Sequence, residues 1–422
     1  MIKIFISLLI FVLVLPVSAQ FVVPSIPDSL IENANEIVIS DETDFTIKDI
    51  GHSTLKRKYS TAVLNKYAEY GNNITLHYNE FIDIIMIVVN VYNNHGKRVE
   101  RYYLSDFEDW TDSFYATASD SRRKILNIKQ KQYPYYVDVE YKIEYDGSLH
   151  LPYWHPQDAE KQSLLSASLV IESPIQDLLS FQCVNIDPPH ELFIDDKHFY
   201  RWELENLPAF EKEALSGSIE NYIPIVYSAL KEFQLDGYQG KMTSWKEFGN
   251  WIDNLNFGRN NLNPEQISEV LLLTAKASTD LEKAKIIYKY VQDNMHYVSI
   301  QLGIGGWQPF ETAFVHETKY GDCKALSFYT HSLLKAAGVE SYYTIIRSGA
   351  NASKLSSDFP NAYFNHAIVS VVCDTDTIWL ECTSQTAPFG YLGKFTSDRY
   401  ALMVDENGGE LIRTKSYTSE EN

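Results

Sequence analysis

The stretch "YGDCKALSFYTHSLLKAAGVE", Tyr320–Glu340, decides how this chain is read, because it sets a single cysteine at the mouth of a helix. Cys323 follows Gly321-Asp322. Leu326, Tyr329, Leu333 and Leu334 then recur at helical spacing, and Gly338 stands where a helix commonly ends. A cysteine in a first helical turn faces unpaired backbone amides and the positive end of the helix dipole. Both favour thiolate over thiol, the form that acts as a nucleophile. A buried, inert cysteine fits the same stretch taken alone.

Downstream, "YFNHAIVSVVCDTDTIWLECTSQ", Tyr363–Gln385, reads as a hairpin turning at Asp374-Thr375. With Cys373 opposite Asp376, Ile368 falls opposite Glu381 and His366 opposite Thr383. His366 and Glu381 then become diagonal neighbours on one face, which a slip of one residue would undo. In that register Glu381 can fix the His366 tautomer while the other ring nitrogen meets the Cys323 sulfur, the arrangement of thiol acyl transfer. Either residue taken alone is as well explained as ordinary strand structure. No Cys-x-x-Cys or His-x-x-x-His spacing suggests a metal, and His331 lies deep in its helix.

The rest of the chain frames this site. Its 422 residues suggest two or three domains, and 45% hydrophobic with 14% aromatic residues suffice for real cores. With 36 basic and 56 acidic residues the net charge is −20, which disfavours nucleic acid and anionic lipid as partners. Lys3, the apolar run Ile4–Leu15 and the small-residue exit Val17-Ser18-Ala19 read as an export signal cleaved after Ala19. The expected mature chain carries no membrane anchor and is periplasmic or extracellular. The four cysteines are too scattered for a disulfide framework, so at least one free thiol is expected.

Residues 20–235 read as a β-rich module, with alternating runs at 53–65, 136–145, 166–173 and 198–207 broken by turn signals. The spacing predicts an antiparallel β-sandwich. From about residue 240 to 415 the texture is mixed. Ser244-Trp245-Lys246-Glu247 predicts a capping box, Asn263-Pro264 a helix start, and Thr279 the cap of a third helix. The expected class is α+β, with no cofactor and no calcium loop. Gly303, Gly305 and Gly306 lack the following Lys-Ser or Lys-Thr of a phosphate loop. Sequons stand at Asn73 and Asn351.

Together, "YGDCKALSFYTHSLLKAAGVE", "FNHAIVSV" and "IWLECTS", with the preceding "YVSIQLGIGGWQPFETAFVHETKYGDC", resemble bacterial members of the transglutaminase-like superfamily across about residues 245–400. That resemblance implies a papain-like fold, with Cys323 as nucleophile, His366 as base and Glu381 as orienting acid. The third position is more usually aspartate in that family. The front half, ending near "YRWELENLPAFEKEAL", is similar to the module of unknown function that often precedes this domain in exported bacterial proteins. Many such relatives continue into a further β domain. Here the sequence runs to "ELIRTKSYTSEEN", as expected of a compact variant or a fragment.

The resulting expectation is a cysteine enzyme acting on peptide or protein amides, by transamidation or hydrolysis. The alternatives are a papain-like protease, or a non-catalytic protein that binds through its β-sandwich. The oxyanion donors expected are the Cys323 N–H and one of Gln301, Trp307 or Gln308.

Overall fold

The computed structural model describes residues 21–111, 117–213, 219–349, 355–373 and 376–417. The expected export signal, the sequon at Asn351 and the turn at Asp374-Thr375 lie outside the described residues. No helix among the described residues is long and apolar enough to cross a membrane.

The front part is organised on one large sheet. Its strands are β1 (Glu36–Ile47), β2 (His52–Val63), β3 (Ile82–Tyr92), β4 (Arg98–Tyr103), β5 (Tyr135–Asp146), β6 (Gln162–Ser173), β7 (His190–Ile194) and β8 (Lys197–Leu207). They lie in the order β7-β8-β6-β1-β2-β5-β3-β4. The four alternating runs of the sequence are β2, β5, β6 and β8. Alternation buries one face, so Val89, Val137, Val139 and Leu164 sit at 0% exposure in the core.

The sheet departs from an all-antiparallel arrangement at one pair: β1 and β6 run parallel, with Glu36 beside Gln162 and Thr46 beside Glu172. Parallel neighbours need a crossover. The chain between β5 and β6 supplies it and buries Leu149, Leu151 and Trp154.

The second part carries helices α1 (Trp245–Asn256), α2 (Pro264–Thr274), α3 (Asp280–Asn294), α4 (Thr312–Thr318) and α5 (Cys323–Ala336). Ser244, Asn263 and Thr279 cap the first three, each side chain accepting from an N–H in the first turn. The full reciprocal box forms at Asn263 and Gln266. Strands β9 (Ser341–Ile346), β10 (His366–Cys373), β11 (Asp376–Leu380), β12 (Tyr400–Asp405) and β13 (Gly408–Arg413) make an antiparallel sheet ordered β11-β10-β9-β12-β13. Ser327 Oγ donates to Ala367 O at 2.9 Å and ties α5 to β10. The chain is thus α+β: a β-rich front with a large sheet, followed by a mixed α/β part.

The two parts are joined by backbone as well as by packing. Ser299–Gln301 pairs in parallel with Thr117–Ser119 of the front part. Asp120 N donates to Gln301 O at 3.3 Å, and its carboxylate accepts from Gly303 N at 3.2 Å. A single hydrophobic cluster runs from Val139 of the front sheet through Trp251 to Tyr343.

Candidate active site

Asp322 is the N-cap of α5, its Oδ1 accepting from Ala325 N at 2.9 Å. Its other oxygen accepts from Lys324 Nζ, and both side chains are buried. Cys323 is therefore held at the first helical position between a capping acid and the lysine that neutralises it. Its residue exposure is only 4%, yet it lines a cavity of about 510 Å³.

The strand pairing brings His366 and Glu381 together. Cys373 faces Asp376 and Val369 faces Leu380, so Glu381 leaves β11 beside the start of β10. His366 Nε2 meets Glu381 Oε1 at 3.1 Å and Oε2 at 2.9 Å. The Thr383 N–H and hydroxyl donate to Oε1 at 3.2 and 2.6 Å. His366 also reaches the Cys323 side chain, which helps it hold its proton. With Nε2 taken by the carboxylate, Nδ1 is the ring nitrogen left for the thiol. The residues singled out in the sequence thus form one contact chain from sulfur to imidazole to carboxylate.

The electrostatics follow from this geometry. Burial opposes a charged His366, but hydrogen bonds with Cys323 and Glu381 and the carboxylate's charge outweigh it and raise the imidazole to about 10. Burial would likewise raise Glu381, yet the bonds from His366 and Thr383 hold its carboxyl below the ordinary value. Phe395 lies edge-on to His366, ring centroids 5.4 Å apart.

Residues 270–384 match the model of the transglutaminase-like superfamily. This segment is similar to transglutaminase-like domains, and it holds Cys323, His366 and Glu381. Residues 50–211, ahead of it, match the domain of unknown function DUF3857. A search of curated proteins finds no match. Among solved structures, a candidate protease from Parabacteroides distasonis is similar in fold. It has a TM-score of 0.65 and 15% identity, over 90% of this chain and 72% of that one. A candidate cysteine protease from Cytophaga hutchinsonii is 11% identical over 80% of this chain and 78% of that one, with a TM-score of 0.21.

The segment matched at residues 270–384 does not line the cavity alone. Phe81, Asp120, Leu149 and His150 of the front part line it opposite Cys323, Gln301, Trp307 and His366. Trp307 packs on His150 at 5.5 Å between ring centroids and on Trp251 at 5.6 Å. Burial lowers His150 to about 4, so it stands neutral beside the site.

Gln308 does not fit the oxyanion role expected of it. Its Nε2 donates to Leu255 O at 3.1 Å and its Oε1 accepts from Arg259 at 2.6 Å, so the amide is committed to the helix behind the site. Gln301 and Trp307 both line the cavity.

None of the four cysteines, all among the described residues, is in a disulfide, and burial pushes Cys382 up to about 12. Two features went unread in the sequence. The first is the cap at Asp322, although an acid directly before the first helical residue is a local N-cap signal that could have found it. The second is His150, which nothing local marks, because its contact with the site is made across the two parts.

Proposed function

We propose that the protein is an exported cysteine enzyme that acts on peptide or protein amides through an acyl-thioester on Cys323. What carries this reading is the continuous contact of Cys323, His366 and Glu381 at the edge of an open cavity. The Cys323 thiol gives its proton to His366 as the sulfur attacks the amide carbonyl carbon, and the carbonyl oxygen takes up the negative charge. The Cys323 backbone N–H, at the head of α5, is the donor assigned to that charge. The C–N bond then breaks, and His366 passes its proton to the departing amine. Glu381 stabilises the imidazolium and holds its tautomer throughout.

The thioester is resolved by an amine, giving a new amide, or by water, giving a carboxylate. In either case His366 accepts the nucleophile's proton and the thiol is regenerated. Export rests on the signal read at residues 1–19. The fold shared with a candidate protease favours testing the hydrolytic branch alongside transamidation.

The test is a screen of the full chain and Cys323→Ala against glutamine-donor peptides with an amine acceptor, and separately against generic protease substrates. Turnover by the wild type that is absent in Cys323→Ala is the expected result. Turnover of equal size in both would remove Cys323 as the nucleophile, and none in either would sink the proposal in favour of a non-catalytic binding protein.

A further inference from the structure

Beside the Cys323 cavity lies a second chamber of about 560 Å³. The two share Ile82, Tyr145 and His150, so they adjoin along one wall. Phe45, Leu55, Ile143, Leu169 and Ile171 give the second chamber an apolar lining drawn from β1, β2, β5 and β6. Tyr153 of the crossover and Tyr363 of the transglutaminase-like part also line it, their rings edge-to-face at 6.4 Å. Tyr363 stands just upstream of His366, so this lining continues into the segment that delivers the base.

The charges at this chamber are already compensated. Arg57 donates to the fully buried Asp41 carboxylate through Nε at 3.0 Å and Nη2 at 2.6 Å. His155 is paired with Asp158, and His150 is neutral. An ammonium or carboxylate entering here would find no unpaired opposite charge and would lose its hydration, although the neutral donors Trp154 Nε1, Ser228 Oγ and Tyr363 Oη stand without partners on the wall. An uncharged apolar group would gain from burial, and the volume lies within the range of roughly 300–1,000 Å³ usual for ligand sites.

We propose that this second chamber is the acyl-donor specificity subsite, taking an aromatic or branched aliphatic side chain of the peptide whose amide is presented to Cys323. The proposal rests on the reading of Cys323 as the nucleophile. It gives the front module a role in the chemistry, since that module supplies the pocket that selects the donor.

The test labels Cys323 of the full chain with iodoacetamide and with N-(ω-phenylalkyl) iodoacetamides of increasing length, beside a carboxylate-tailed reagent of matched length. The rate with each tail, divided by the rate with plain iodoacetamide, is the readout. The expected result is a saturable gain of about 10-fold or more for an apolar tail long enough to reach the chamber, with no gain for the carboxylate tail. Ile171→Phe, which fills the chamber, should collapse that ratio toward one, and Tyr153→Ala should lower it. Tyr153 is half-exposed, so its variant serves if the buried Ile171 site does not tolerate the larger ring.

A ratio that ignores tail length, favours the carboxylate equally or survives both variants would overturn the proposal. Slow labelling by plain iodoacetamide counts against the nucleophile reading alone, because the ratio is measured independently of it.

Discussion

Glu381 places both carboxylate oxygens within 3.1 Å of the His366 Nε2, while Thr383 donates twice to one of them. The extra methylene relative to aspartate is thus accommodated with the carboxylate fully engaged. Glu381→Gln keeps the shape but removes the charge that favours the imidazolium. It should lower kcat/KM by about 10²- to 10⁴-fold. Glu381→Asp should fall between the two. Steady-state kinetics on the first substrate found in the activity screen decides this, and a Gln variant of wild-type activity would remove Glu381 from the mechanism.

The thiols should separate sharply by reactivity. Cys323 lines the open cavity and contacts His366, whereas Cys382 is buried and pushed up to about 12. Iodoacetamide on the acid side of neutrality should therefore alkylate Cys323 faster than a small reference thiol and leave Cys382 untouched in the folded protein. Peptide mapping across a pH series reads this directly. Equal labelling of the two sites would contradict the geometry.

Stability should carry the signature of His366 at alkaline pH. Its value rises from 6.5 to about 10 in the folded chain. The stability this confers is full below about pH 6.5 and is lost as pH climbs through about 10. His331 is lowered by burial from 6.5 to about 4 and has the opposite sign: its contribution is present above about 6.5 and fades as pH falls through about 4. Urea unfolding of wild type and His366→Gln should differ most on the acid side of neutrality, and the gap should narrow as pH rises. A gap independent of pH would exclude the charged His366 as its source.

Helix α1 approaches β13 too closely for any side chain at Gly249. A Cβ there would lie 2.0 Å from Gly409 N. Alanine favours a helix interior over glycine by about 1 kcal/mol, but the clash outweighs that. Gly249→Ala should destabilise the chain by about 1–3 kcal/mol in denaturant unfolding. A neutral or stabilising result would mean that α1 can shift without cost.

Much of this site was legible in the sequence because its geometry is local. The period-two alternation of β10 and β11 and the two-residue gap between them set the register, and the register sets His366 beside Glu381. The helix that opens at Cys323 was equally readable from its apolar spacing and Gly338. What escaped depends on contacts between distant segments. The parallel pairing of β1 with β6 requires a crossover whose path no short window of sequence encodes. Gln308 looked as available as Gln301 until Arg259 and Leu255 were seen to occupy its amide. The front-part lining, with Phe81, Leu149 and His150, has no local signature at all.

The pairing of Ser299–Gln301 with Thr117–Ser119 bears on how such chains can be recombined. It fastens the segment leading to Cys323 directly to the front module, beside the residues that module adds to the cavity. A gene cut between the two parts would separate Cys323 from the front-part residues that line its cavity. Exchanging the front module would therefore change the lining of the cavity that Cys323 faces.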